Sequence, residues 1–195
     1  MFVGHTGLAL LLAGRRATPP LWLLVVAAYG SDWLELPARL AGWSPERTMA
    51  LTHSLAATLV AGALAGALHL LAARDRSSAA LVAVAWWSHW AADFVTASKP
   101  AWPGGPHVGL GLYDHGAADL LIESAVVVAG WIAFARRRRP PRAARLLAPA
   151  ALVALQLAFV NQHRLAAGDW KQRVLQSIVA RVRGRVPRVD GTETS

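Results

Sequence analysis

Residues 77–98 read SSAALVAVAWWSHWAADFVTAS. At 1.5 Å per residue such a stretch makes a helix of roughly 33 Å, about the depth of the ~30 Å hydrocarbon layer of a bilayer. His89 and Asp93 interrupt its apolar run. A charged group at depth in a bilayer costs roughly 2.5 kcal/mol or more, so it should be rare unless it has a partner. The two residues are four apart and project from one helix face toward one point, the spacing a single ion needs from a helix.

Working outward, the rest of the chain has the same character. Of its 195 residues 55% are hydrophobic and 16% charged, and the mean hydropathy is +0.36, too oily for one core in water. The formal charge of +9 lies in the tail. Residues 1–135 carry 7 basic and 8 acidic side chains, whereas 136–195 carry 13 and 3. The basic residues flank or follow apolar spans, which fits anionic headgroups and topology control and argues against nucleic acid as a partner. The absence of cysteine excludes disulfides, thiolate metal sites and cysteine nucleophiles.

The reading is therefore an all-α, polytopic membrane helical bundle of about five to six membrane helices, the first of them short. That first segment ends near Ala13, with Arg15-Arg16 after it, the reverse of a secretory signal's charge order. A second runs from Pro19-Pro20 through Asp32 and is stopped by Pro37. The third starts at the Ser44-Pro45-Glu46 cap and continues past His53 to about Ala73. Gly62 and Gly66 give it a small-residue face for packing, within the chain or in a homo-oligomer. The fourth covers Ser77 to about Ser98, followed by a Pro/Gly-rich loop to Asp114; the fifth covers Ala117–Ala135 and the sixth Leu146 to about Phe159. Residues 1–166 form the membrane domain carrying the site. Residues 167–195 form a basic tail, with an interfacial amphipathic helix from Trp170 to Val182 and an unstructured end from Val186.

If the spans alternate, Arg15, Arg16, Arg74, Arg76 and the cluster from Arg136 to Arg145 share one side, and Arg39, Arg47 and Lys99 the other. The positive-inside rule makes the richer side cytoplasmic. The protein then belongs in a cytoplasmic (inner) membrane, with the loops around 37–47 and 98–116 facing out; a sixth span would place the basic tail outside too. Trp33, Trp43, Trp86, Trp87, Trp90 and Trp102 read as an aromatic belt at that outer interface.

Counted along these helices, His5, Asp32, His53, His89 and Asp93 fall at one depth near the outer face. Asp32, His53, His89 and Asp93 offer two imidazoles and two carboxylates, a set suited to Zn2+ and also to Mn2+ or Fe2+. His5 is placed to share a second ion bridged by Asp93 or Asp32. His115, Asp119 and Glu123, again at four-residue steps, could complete a centre of one to three ions. Lys99 is a candidate to hold a substrate phosphate, or else a headgroup anchor. His69 reads as a hydrogen-bonded structural histidine and His163, beside Asn161 and Gln162, as an interfacial cap. A proton- or ion-conducting track is the competing reading of the polar set; its confinement to one half of the membrane argues against it.

At Gly4-His5, Asp32, Thr52-His53-Ser54, Ser88-His89-Trp90, Asp93-Phe94 and Val108-Gly109-Leu110-Gly111-Leu112-Tyr113, the sequence resembles the bacterial membrane-bound, metal-dependent hydrolases described as LexA-binding inner-membrane hydrolases. The likeness covers roughly residues 1–135. The order His, Asp, His, His-xxx-Asp is also similar to the zinc-dependent phospholipase C group. That likeness implies one zinc on Asp32, His53, His89 and Asp93, another on His5 with Asp93, and Asp32 doubling as general base. The chain lacks that group's His-xxx-Glu pair and offers Asp119-xxx-Glu123 or His115-xxx-Asp119 instead. The expected function is metal-dependent hydrolysis of a phosphoester in a lipid or lipid-linked substrate, with Asp32, Lys99 and Glu123 as the catalytic candidates. The alternative is a non-enzymatic metal ion or proton transporter using the same cluster.

Overall fold

The computed structural model describes the backbone of residues 3–14, 19–165 and 170–185, and the side chains of these residues other than 159–174 and 183–185. The described chain is mostly helical. Its α-helices are α1 (Gly4–Leu12), α2 (Leu21–Ala28), α3 (Gly30–Leu40), α4 (Pro45–Thr52), α5 (Leu55–Ala73), α6 (Arg76–Thr96), α7 (Gly116–Arg138), α8 (Arg142–Leu165) and α9 (Trp170–Arg185). Between α6 and α7 lie two short antiparallel strands, β1 (Lys99–Pro100) and β2 (His107–Val108), and a 3-10 turn at Leu112–Asp114.

Helix α6 is central, touching α1, α2, α3 and α5, while α7 packs along α1 and α8. The core between α1, α2 and α6 is made of Ala9, Ala13, Leu24, Ala27, Ala28, Val82 and Ala85. Small residues let the helix axes approach closely. The large apolar side chains point the other way: Leu68, Leu71, Leu121 and Leu146 are each two-thirds or more exposed. Two helices, α5 and α7, are long and apolar enough to cross a membrane, and only 17% and 22% of their most apolar windows are buried.

Two expected helices are each broken in two. The segment after Pro20 bends at Tyr29, where Gly30 lies flat against the Trp86 ring and the Ala28 carbonyl accepts a hydrogen bond from His89 Nδ1 at 2.9 Å. A side chain inserted into the i→i−4 ladder is a recognised cause of a bend. Pro37 does not stop α3, which runs on to Leu40 and ends before Gly42 at φ +89°. The third segment starts as expected, with Ser44 Oγ accepting from the Arg47 amide at 3.2 Å. It then breaks at His53. Ser54 starts a new helix by accepting from the Ala57 amide at 3.2 Å, and the exposed Ala56 amide bonds to Ala101 O of the hairpin at 3.1 Å.

Gly62 and Gly66 are used within the chain, packed on Trp87, Ala83 and Ala79 of α6. A closer contact, unread from sequence, joins Gly7 of α1 to Gly130 and the Val126–Val127 backbone of α7. The tryptophans divide. Trp33 and Trp102 are more than half exposed, whereas Trp86 packs on Gly30 and Trp87 donates to Leu59 O at 3.0 Å. His69 bonds to Ser78 Oγ at 2.7 Å, in line with a structural role. Helix α9 lies beside α3, around a cavity of about 270 Å³ lined by Arg39, Trp43, Gln176 and Val179. The side chains of 161–163 and the segment 186–195 fall outside the described residues.

The α1–α7 contact makes a stability prediction. A methyl at Gly130 would overlap the Gly7 backbone, whereas one at Gly14 would meet only the movable Arg137 side chain. Thermal unfolding in detergent should show Gly130→Ala destabilised by about 1–3 kcal/mol and Gly14→Ala changed by less than about 0.5 kcal/mol.

Candidate metal centre

Four helices or helix ends bring their polar groups to one buried place. His5 is the second residue of α1, Asp32 the third of α3, and His53 follows the last residue of α4; His89 and Asp93 lie one turn apart on α6. His5, His53, His89 and Asp93 are all buried, and Asp32 is partly so. His5 and His89 stack with ring centroids 4.1 Å apart, and His53 meets His89 edge-on at 5.2 Å.

Hydrogen bonds on the outer side of the rings fix which nitrogen faces inward. The Ala28 carbonyl can only accept, so His89 Nδ1 carries a proton and donates it, which turns Nε2 inward. At His53, Nδ1 lies 2.7 Å from Thr52 Oγ1, which also donates to Thr48 O at 2.8 Å, and Nε2 turns toward the cluster. Each of these two Nε2 atoms faces a carboxylate: His53 lies 3.4 Å from Asp32 Oδ1 and His89 3.4 Å from Asp93 Oδ2. His5 Nε2 stands 3.7 Å from Asp93 Oδ1.

A buried imidazole nitrogen and a carboxylate this close share either a proton or a cation. Two ligands bound to a tetrahedral Zn2+ at about 2.0–2.1 Å are about 3.4 Å apart, so both imidazole–carboxylate pairs have the spacing of neighbouring ligands of one ion. The outward Nδ1 contacts with Ala28 O and Thr52 Oγ1 are of the kind that orient metal-binding histidines. The donor set of nitrogen and oxygen suits Zn2+, and also Mn2+ or Fe2+.

The expected single shell of Asp32, His53, His89 and Asp93 is resolved into three overlapping triads with ligand atoms within 4.8 Å: His53/His89/Asp93, His5/Asp32/His89 and Asp32/Glu35/His53. Glu35 and Thr52 were missed by the sequence reading. Their signals were present: Glu35 is three residues after Asp32, hence on its face of α3, and Thr52 is the hydroxyl adjoining His53.

The remaining candidates divide. His115 is exposed at the start of α7, and among the described residues none of His115, Asp119 and Glu123 joins a triad. Asp119 and Glu123 are buried, and Glu123 Oε2 accepts the Gly4 amide at 3.2 Å, capping the helix that carries His5. Helix α7, which carries both, packs along α1. Lys99 Nζ pairs with Asp93 Oδ2 at 3.1 Å and reaches Met49 Sδ at 3.5 Å. The loop 107–113 is stitched to the end of α6 by Leu110 N→Phe94 O at 2.7 Å and by the close approach of Gly109 to Ala97 O. It sets the Tyr113 hydroxyl in a hydrogen bond with Thr96. Burial of that end, and then the nearby charges of Asp93, Glu123 and Asp119, raise the Tyr113 phenol well above its ordinary value. Tyr113 thus stands neutral at the rim of the cluster.

The chain matches no family model, no curated protein and no solved structure.

The hydroxyl that orients His53 yields a test. Zn2+ binding followed with a competing chelator should weaken by about 10–100-fold in Thr52→Val, which leaves His53 Nδ1 without its hydroxyl partner. His69→Gln, far along α5, should leave the affinity unchanged.

Proposed function

We propose that this chain is a membrane-embedded, metal-dependent hydrolase that cleaves a phosphoester, in a lipid or lipid-linked substrate entering from the side. The observation that carries the reading is the pair of buried imidazoles whose Nδ1 atoms are tied outward and whose Nε2 atoms face carboxylates at 3.4 Å. The resemblance to the membrane-bound metal-dependent hydrolases and to the zinc-dependent phospholipase C group supports the same chemistry.

The membrane placement draws on the inverted packing. Alanine and glycine fill the helix contacts, and leucines on α5, α7 and α8 point outward. Such a surface is far larger than the apolar patches tolerated in water and fits hydrocarbon. In this reading five or six helices span the cytoplasmic membrane of a bacterium, with the cluster toward the outer face. The connecting segments carry ten basic residues on the side away from the cluster and three on its own side.

His53, His89, Asp93 and Asp32, with His5, would hold the ion. A bound divalent cation supplies Lewis acidity toward a phosphoryl oxygen and acidifies water. Asp32 is the more accessible carboxylate, with 22% of its side chain exposed against 8% for Asp93, so it is the one that incoming water meets. Its Oδ would take a proton from water as the water oxygen bonds to phosphorus and the P–O ester bond breaks, and would return that proton to the departing alkoxide. Lys99, 13% exposed and beside Asp93, offers its ammonium to an anionic phosphoryl oxygen. Tyr113 borders the same opening with a neutral hydroxyl. Glu123 acts at a distance, through the Gly4 amide that seats His5.

Elemental analysis of the purified protein should find at least one zinc- or manganese-type ion per chain, lost in Asp93→Ala. Hydrolysis of bis(4-nitrophenyl) phosphate by the loaded protein should fall by about 10²–10⁴-fold in Asp32→Asn. Metal-free wild-type protein would overturn the reading. Loaded protein that moves metal across proteoliposomes without turning over phosphoesters would replace hydrolysis with transport.

A further inference from the structure

We propose that the turn between α7 and α8, at the far end of α7 from the cluster, binds the headgroup phosphate of one anionic phospholipid between Arg136, Arg139 and Arg145. The proposal goes beyond the hydrolase reading and rests only on its membrane placement. Its starting point is a hollow of about 370 Å³ lined by Trp131, Ile132, Ala135 and these three arginines.

The convergence is built by the backbone. Arg136 and Arg139 are three apart, so they share a face of α7 with Ile132 and Ala135, each four residues earlier. The helix closes at Arg139, whose backbone takes φ +48° and ψ +53°, a left-handed position that glycine fills at less cost. Pro140 and Pro141 turn the chain, and α8 begins at Arg142. Two bonds fix the return: Trp131 Nε1 donates to Arg145 O at 3.2 Å, and Arg145 Nε donates to Pro140 O at 2.8 Å. The second bond orients the Arg145 guanidinium through Nε, while four of its five N–H groups sit on the two terminal nitrogens.

Three guanidinium groups around one hollow repel one another, and the sequence carries no acidic residue between Glu123 and Asp169 to offset them. The neighbouring Arg137 is used differently, donating from Nη1 to Leu11 O of α1 at 3.2 Å. The run of four arginines therefore divides between helix packing and the hollow. A topology signal needs only positive charge on one side of the membrane; it requires neither arginine nor convergence. Planar forks meeting from three directions are suited to the several oxygens of a phosphate.

The surroundings favour a lipid as the source of that phosphate. Helix α7 is long and apolar enough to cross a membrane, and the hollow lies where its apolar stretch ends. Exposed Ile132 lines it, and exposed Leu146 and Leu147 follow Arg145 directly. These side chains offer surface to acyl chains, which a free phosphate would not use. Basic pockets between membrane helices are recognised headgroup sites. At 1.5 Å per residue Arg139 lies about 24 Å along the helix from Glu123, so the lipid sits in the leaflet opposite the cluster.

The test uses the full-length protein in dodecyl maltoside, with thermal unfolding followed as lipid is added. Dioleoylphosphatidylglycerol should raise the unfolding midpoint saturably, by about 5 °C or more, and dioleoylphosphatidylcholine by less than about half as much. The combined changes Arg136→Gln, Arg139→Gln and Arg145→Gln should remove the phosphatidylglycerol response, whereas Arg137→Gln should keep it. The corresponding three Arg→Lys changes preserve charge and should still weaken the lipid by about 10-fold or more, because lysine offers no fork. Equal responses to the two lipids, or a response surviving the triple glutamine change, would overturn the site. Undiminished affinity in the triple lysine variant would also overturn it, reducing the arginines to a positive surface. Inorganic phosphate acting at the same concentration would replace the lipid with a free anion. If the glutamine variant does not fold, the lysine variant and the wild-type lipid selectivity decide. Protein that needs detergent yet ignores both lipids would sink the site alone; protein that stays dispersed without detergent would sink the membrane placement with it.

Discussion

The carbonyl of Ala28 decides which nitrogen of His89 faces the carboxylates, and much of the local architecture follows from that bond. The helix around it cannot run straight while its carbonyl is turned toward a neighbouring helix, so α2 ends at Ala28 and α3 restarts at Gly30. Gly30 in turn lets the Trp86 ring press against the backbone, which brings α6 close enough for the bond to form. The bend also directs Asp32 and Glu35 inward. Thr52 does for His53 what Ala28 does for His89, and there too the helix is interrupted at the residue being oriented. In both places continuous helix is given up where a ring nitrogen must be aimed.

Packing elsewhere reverses the usual order of a protein in water. The contacts between helices are made by alanine and glycine, the outside carries leucine, valine and tryptophan, and the inside carries His, Asp and Glu. Close helix approach leaves little room for large side chains, so the polar groups come within coordination distance without a wide cavity around them. The dense packing and the short ligand spacings are one fact seen at two scales.

Much of this was legible in the sequence, for identifiable reasons. Apolar run length located the helices, the Ser44-Pro45-Glu46 cap marked the start of α4, and ionisable residues in oily surroundings marked the cluster, because each is a local signal. The breaks at Tyr29 and His53 were not legible. Hydropathy is continuous across both, and the cause is a partner dozens of residues away or a hydroxyl next door. Pro37 was read as a stop, yet it sits late in α3 and removes only one helical hydrogen bond. Glu35 escaped notice because it sits beside that proline at what looked like a helix end. His115, Asp119 and Glu123 share the spacing of a metal site, but spacing along one helix says nothing of which neighbour that helix faces. The pairing of Gly7 with Gly130 was equally hidden, since a contact between two glycines leaves no periodic trace.

That glycine pair bears on His5. Immediately before it, the Gly4 amide is held by Glu123, and two residues beyond it Gly7 lies backbone against backbone on α7. The first anchor runs through the Glu123 side chain, but the second is backbone on backbone, so no rotamer change can relieve a displacement at Gly7. His5 is thus mounted at a set height by a neighbour that contributes none of the converging groups. A slip of α7 by a fraction of an ångström would be transmitted undamped to the imidazole, and α7 serves the cluster as its fixed rail.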